Sequence, residues 1–136
     1  ATAALYHDAS EILTGDLPTP IKYHNAEIMS AYHAVEDLAV QKLLGMLPPE
    51  LRETYADVLA EDKDGDIYPL VKAADKLSAY IKCIEERKAG NNEFLSAEAQ
   101  TRAALEASPL PEVQYFLEHF IPAFERDLDE LGAIGQ

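Results

Sequence analysis

Several absences restrict what this chain can be. Its 136 residues include no tryptophan and a single cysteine, which excludes an internal disulfide. Basic residues are scarce, since 11 Lys and Arg stand against 25 Asp and Glu and give a formal net charge of −14. Binding to nucleic-acid polymers needs a basic surface. No apolar run is long enough to cross a bilayer, and no signal-peptide pattern is present. We therefore expect neither a nucleic-acid polymer nor a membrane as a partner.

The composition predicts an ordinary globular protein. Hydrophobic residues make up 48% of the chain, as in folded domains. The length is enough for one domain with one core, so we expect residues 1–136 to form a single domain. Cys83 has apolar neighbours within a helical pattern, which favours a buried, inert thiol over a reactive one. A reduced thiol is consistent with a cytoplasmic location.

The hydrophobic periodicity is helical, and no strand-like alternation of useful length appears. The pattern predicts an all-α bundle of about six helices, interrupted by glycines and prolines. The predicted helices cover residues 1–13, 25–47, a short stretch around 51–59, 70 to Gly90, 93–107 and Pro111 to Leu131. The predicted apolar stripe of the second helix consists of Ile28, Tyr32, Val35, Ala39, Leu43 and Met46. That of the last helix consists of Val113, Phe116, Leu117, Phe120, Phe124, Leu128 and Leu131.

An adjacent His-Asp pair near the start of the sequence is the strongest candidate for chemistry. His7 and Asp8 fall on the first predicted helix, and Glu11 follows one turn later on the same face. Imidazole nitrogen and carboxylate oxygen both suit borderline divalent metals. A ligand pair with a carboxylate one turn away is a layout for metal-assisted hydrolysis. On its own, the dipeptide is weak evidence, and a His beside an Asp on a helix surface is then the favoured interpretation.

Two further carboxylates have both a functional and a structural interpretation. Asp75 falls near the apolar stripe of the fourth predicted helix, where a carboxylate is costly unless it is paired or binds a metal. Alternatively, it faces solvent and pairs with Lys72 or Lys76. Asp16 lies in a proline-stiffened turn, where it could bind a ligand or simply accept a backbone hydrogen bond.

Other acidic and histidine positions are weaker candidates. The acidic stretch from Asp62 to Asp66 suggests a calcium loop, but its glycine comes one position early for an EF-hand. His33 and Asp37 are four residues apart on a predicted helix, and a surface ion pair is the favoured interpretation.

Residues 6–20 read YHDASEILTGDLPTP and resemble the HD-domain phosphohydrolases, specifically the 5'-deoxynucleotidases of the YfbR type. The resemblance continues through residues 70–80, 82–86 and 90–95, and thus spans almost the whole chain. It implies an HD-domain-like helical bundle. In that family the first metal-binding His and an Arg-Trp pair lie upstream, so we expect this chain to be N-terminally incomplete and to lack them.

The resemblance also implies an activity and a set of site residues. The activity is hydrolysis of 2'-deoxynucleoside 5'-monophosphates to deoxynucleoside and phosphate, carried out by a homodimer. The implied metal ligands are His7, Asp8 and Asp75, with a fourth from the upstream segment. Glu11, beside the metal pair, would act as general acid or base.

The substrate pocket implied by the resemblance follows the metal pair in sequence. Asp16 would accept a hydrogen bond from a sugar hydroxyl. The residues implied to line this pocket are Asp16, Leu17, Pro18 and Thr19. Mixed nitrogen and oxygen ligands allow Co, Mn, Zn, Ni or Cu as the divalent ion.

Two competing hypotheses share the fold. A non-catalytic helical binding or scaffold module is favoured by the acidic balance and by the expected loss of the first His. With that ligand gone, we expect weak metal binding and no activity from the chain as given. The other hypothesis is an HD phosphohydrolase that acts on cyclic or hyperphosphorylated nucleotides. It is disfavoured because Thr14 to Pro20 match the deoxynucleotidase pattern.

Overall fold

The computed structural model describes residues 1–18, 21, 24–60, 65–127 and 130. Within these residues the chain contains helices and no β-strand, which confirms the all-α prediction. The helices are α1 Thr2–Tyr6, α2 Glu11–Thr14, α3 Ala26–Met46, α4 Pro49–Leu59, α5 Tyr68–Lys88, α6 Leu95–Glu106, α7 Pro111–His119 and α8 Ile121–Glu125.

The first predicted helix is divided, so the prediction of one helix through Leu13 is wrong. A turn over residues 7–10 separates α1 from α2, and His7 and Asp8 lie in this turn rather than on a helix. The amide of Ala9 donates to the Tyr6 carbonyl at 2.9 Å, three residues back. Hydrogen bonds over three residues wind the chain more tightly than an α-helix does, and long runs of them are unfavourable.

The tighter winding keeps Asp8 and Glu11 on the same side of the chain, as expected from the sequence. The amide of Glu11 donates to the Asp8 carbonyl at 3.0 Å, which again joins residues three apart. Side chains three apart eclipse each other in this geometry. Asp8 and Glu11 therefore remain on the same side of the chain, although no continuous α-helix connects them.

Two predicted ends of the long helices are confirmed, the start of α3 near Asn25 and the end of α5 at Gly90. The Asn25 side chain caps α3 by accepting from the Ile28 amide at 2.8 Å. Gly90, with φ of +88°, ends α5. Its amide donates to the Arg87 carbonyl at 3.0 Å, and the next amide, of Asn91, donates to the carbonyl of residue 86 at 2.9 Å. This pair of bonds is a Schellman motif, for which glycine is the favoured residue.

The last predicted helix is also divided. The break falls at Phe120, between α7 and α8. Pro122 has no amide hydrogen to donate to the carbonyl four residues earlier, and its ring would clash with that carbonyl. The helix predicted from Pro111 therefore does not continue straight on. Leu128 and Leu131, which belonged to its predicted stripe, lie outside the described residues.

The chain divides into two compact units, Ala1–Tyr68 and Pro69–Gln136. That residues 1–136 form one domain stays a prediction. In the first unit, α1 packs against α4, α2 against α3, and α3 against α4. Ala39 and Leu44 of α3 are buried, whereas Val35 and Met46, from its predicted apolar stripe, are exposed.

The second unit has a continuous hydrophobic core. Its buried members are Tyr80, Ile84, Leu105, Val113 and Ile121. Cys83, predicted to be buried, is only partly buried. In sequence order, α6 packs against α7 and α7 against α8.

Candidate metal centre

His7 and Asp8 form a close pair in the turn between α1 and α2. The Nε2 atom of His7 lies 3.0 Å from Oδ2 of Asp8. The His7 side chain is largely buried, at 18% exposed, while that of Asp8 is 56% exposed. The pair thus combines a ring held by the protein with a carboxylate accessible to solvent.

The second ring nitrogen of His7 is engaged by the backbone. Nδ1 lies 2.8 Å from the carbonyl oxygen of Ala4, one turn earlier in α1. A carbonyl can only accept, so Nδ1 carries the proton and Nε2 keeps its lone pair in the neutral ring. Histidines that bind metals usually donate their other N–H to a carbonyl or carboxylate, which orients the ring. The hydrogen bond to Ala4 therefore orients His7 in the way that metal-binding histidines are commonly oriented.

The spacing of the pair suits one divalent ion. Two ligands at about 2.1 Å from an ion and at right angles to each other are about 3.0 Å apart. The observed separation of 3.0 Å between Nε2 and Oδ2 matches that value. A proton can occupy the same position, and the pair is then an ordinary ion pair of a protonated imidazole with a carboxylate. The donor set and spacing accordingly fit either a metal ion or a proton.

A tyrosine pair anchors the end of α1 just before these residues. The rings of Tyr6 and Tyr55 meet edge to face, with centroids 6.0 Å apart and planes at 89°. Hydrogen bonding with the Tyr55 side chain raises the pKa of Tyr6 above its ordinary value. Since Tyr55 belongs to α4 and Tyr6 precedes His7 directly, α4 fixes the start of the turn. This contact links distant parts of the sequence, and no local pattern predicted it.

The segment after the pair carries the other candidate residues of the first unit. Glu11 is the first residue of α2 and is partly buried. Gly15 ends α2 with φ of +71° and ψ of 158°, a conformation that is essentially restricted to glycine. Of the residues expected to line a substrate pocket, Asp16 and Pro18 are exposed and Leu17 is partly buried. Thr19 lies outside the described residues.

Asp75 belongs to the second unit, on α5, and is exposed. The expectation that Asp75 is a buried carboxylate in need of a partner or a metal is therefore wrong, because an exposed carboxylate has no such cost. His7, Asp8 and Asp75 each offer one atom suited to a metal ion. That they bind the same ion stays a prediction.

Among the helices of the described residues, none combines the length and apolar character that a membrane crossing requires.

Comparison with known proteins identifies the family. A model of the 5'-deoxynucleotidase YfbR-like family matches residues 1–124. The chain is 53% identical over 133 residues to the 5'-deoxynucleotidase YfbR of Shigella flexneri, covering 97% of this chain and 67% of that protein. It is 52% identical over 133 residues to the enzyme of the same name from Escherichia coli K12, with the same coverage of both chains. An HD-type helical fold and a divalent metal follow from this match, which confirms the resemblance seen in residues 6–20. The chain belongs to the YfbR-like 5'-deoxynucleotidase family.

Proposed function

We propose that this protein hydrolyses 2'-deoxynucleoside 5'-monophosphates. Water is consumed, the bond between phosphorus and the 5' oxygen breaks, and a deoxynucleoside and inorganic phosphate are released. The observation that carries the proposal is the family match, which includes the turn where His7 and Asp8 lie 3.0 Å apart.

The proposed metal ligands are His7, Asp8 and Asp75. Their donor atoms are one imidazole nitrogen and two carboxylate oxygens, a set that suits Co, Mn, Zn, Ni or Cu. The hydrogen bond from Nδ1 of His7 to the Ala4 carbonyl supports the role of Nε2 as a ligand. When bound, a divalent ion supplies polarisation of the phosphate and a lowered pKa of bound water.

Glu11 is the proposed general acid or base. It follows Asp8 by three residues in a tightly wound turn, so its carboxylate is on the side of the metal pair. In this role it accepts the proton of the attacking water or donates a proton to the leaving 5' oxygen. Neither step requires Glu11 to bind the metal.

The loop after α2 is the proposed sugar-binding element. Asp16 is exposed and follows Gly15 directly, so its carboxylate is available to accept from a sugar hydroxyl. The other proposed contacts are Leu17, Pro18 and Thr19. We further propose a single domain, a homodimer and a cytoplasmic location.

The metal ligands can be tested by titrating the native enzyme with Co²⁺ while measuring bound metal. Asp8→Asn should weaken binding strongly, because the amide carries no charge to offset that of the ion. The matched control is Asp57→Asn, which replaces an exposed carboxylate on α4 of the same unit. This variant should bind Co²⁺ with the affinity of the unchanged protein. Equal affinity in both variants would remove Asp8 from the ligand set.

The substrate assignment is tested by comparing several deoxynucleoside monophosphates with their ribonucleotide counterparts. We expect similar rates for different bases and slower hydrolysis of every ribonucleotide. Asp16→Asn should weaken the binding of all deoxynucleotides to a similar extent, since a hydrogen bond to a charged acceptor contributes about 1.5–3 kcal/mol. A strong preference for one base would contradict the role of Asp16. Absence of both metal and hydrolysis would favour a helical binding module.

A further inference from the structure

The carbonyl of Gly15 is held by a residue from another helix. The hydroxyl of Tyr32, on α3, donates to the Gly15 carbonyl at 3.4 Å. The hydroxyl of Thr14 reaches the same oxygen at 3.0 Å and also lies 3.4 Å from the Ser10 carbonyl. A hydroxyl has one proton to donate, so Thr14 cannot serve both carbonyls at once. Of the two hydroxyls at Gly15, only that of Tyr32 ties it to a different element.

This contact acts on the peptide group that leads into Asp16. The carbonyl of Gly15 and the amide of Asp16 belong to one planar peptide group. A hydrogen bond that holds the carbonyl oxygen therefore also orients the backbone amide of Asp16. Gly15 itself, with φ of +71°, does not restrict its own dihedral angles as other residues do. The direction of the loop therefore depends on outside contacts to this peptide group.

Tyr32 is well placed to supply such a contact. It lies in the second turn of α3, a helix of 21 residues whose start is capped by Asn25. Its side chain is partly buried, and α2 packs against α3. A donor on a long, capped helix is a more rigid reference than any group within the four-residue α2.

We propose that Tyr32 is a positioning residue for sugar recognition, which orients the Gly15–Asp16 peptide group and with it the Asp16 carboxylate. This inference rests on the proposed function, in which Asp16 accepts from a sugar hydroxyl. A positioned acceptor binds a sugar hydroxyl more tightly than a mobile one, because binding does not have to order it. Tyr32 thereby contributes to the affinity for deoxynucleotides without contacting the substrate.

The test uses Tyr32→Phe, which keeps the ring and removes only the hydroxyl. In the native enzyme loaded with Co²⁺, KM for deoxynucleotides should rise about three- to tenfold, as expected from one lost hydrogen bond. The value of kcat and the metal affinity should stay within twofold. Backbone hydrogen exchange of residues 14–18 should become faster.

Tyr115→Phe is the matched control, since Tyr115 is 59% exposed on α7 in the second unit. It should leave KM and hydrogen exchange unchanged. If Tyr32→Phe left KM and backbone hydrogen exchange unchanged, the inference would be overturned. It would also be overturned if kcat, metal affinity and thermal stability all fell together, because that result indicates a general structural role. If the unchanged enzyme does not hydrolyse deoxynucleotides, the proposed function fails. Hydrogen exchange then decides separately whether Tyr32 holds the loop.

Discussion

Replacement of Gly15 by Ala tests whether the backbone conformation at the end of α2 matters for stability and substrate binding. Gly15 has φ of +71° and ψ of 158°, a region that residues with a Cβ atom rarely enter. A Cβ built at this position meets no other atom within 4 Å. The variant therefore introduces backbone strain without a steric clash.

The size of the effect follows from two opposing terms. Holding alanine in this region costs about 1–3 kcal/mol. Alanine also restricts the unfolded chain, which returns about 0.4–1 kcal/mol. We expect a net destabilisation of about 1–2 kcal/mol, or a fall in Tm of about 3–10 °C. If the loop relaxes to avoid the strain, the stability loss shrinks and KM for deoxynucleotides rises instead.

Gly45→Ala provides the control for this experiment. Gly45 lies inside α3, and a Cβ there also meets nothing within 4 Å. Alanine is favoured over glycine in helices, but Gly45 is the penultimate residue of α3, so this variant should gain only up to about 0.5 kcal/mol. Thermal unfolding followed by circular dichroism, together with KM, measures both variants. The reasoning would be refuted if Gly15→Ala were as stable as Gly45→Ala and bound substrate with an unchanged KM.

Two further predictions concern single carboxylates. In a full-length version of the protein, Glu11→Gln should retain metal and reduce turnover by roughly 10²–10⁴-fold, the usual contribution of a positioned acid or base. Loss of metal, measured by elemental analysis, would instead identify Glu11 as a metal ligand or as a residue that supports one. The pKa of Glu86 lies below its ordinary value of 4.5, first because Asn91 donates to its carboxylate and next because of Lys82. A lowered folded-state pKa adds stability above the unfolded value, and that stability is lost as pH falls through the folded value. Tm measured from pH 3 to 7 should therefore fall less steeply below about pH 4.5 in Glu86→Gln, and an identical profile would contradict the effect.

The sequence predicted the elements whose signals are local. The start of α3 at Asn25 and the end of α5 at Gly90 lie where they were predicted, because helix ends depend mainly on neighbouring residues. The two divided helices were missed for different reasons. Pro122 could have predicted the second break, because proline interrupts helices. Residues 7–10 gave no such warning: their side chains keep helical spacing, while backbone amides bond to carbonyls three residues back instead of four.

Burial could not be predicted as well as helix position. Val35 and Met46 fit the apolar stripe of α3 yet are exposed, whereas Leu44, outside that stripe, is buried. Periodicity identifies a face, but only tertiary packing determines what covers it. The same limit applies to the candidate site. The His7–Asp8 pair can be recognised in the sequence, but the contacts of Tyr32 with Gly15 and of Tyr55 with Tyr6 come from other helices and could not be predicted.

The packing of α1 against α4 has a consequence for the order of folding. Most helix pairs in each unit are neighbours in sequence, and such local contacts form quickly because little chain entropy is lost. The contact between Tyr6 and Tyr55 instead closes a loop of about fifty residues. We expect α3 and α4 to associate first and the segment bearing His7 to settle onto them afterwards. The helices would then be in place before the imidazole reaches its final orientation. If His7 binds the metal as proposed, the ion would be captured late, by a protein that is already largely folded.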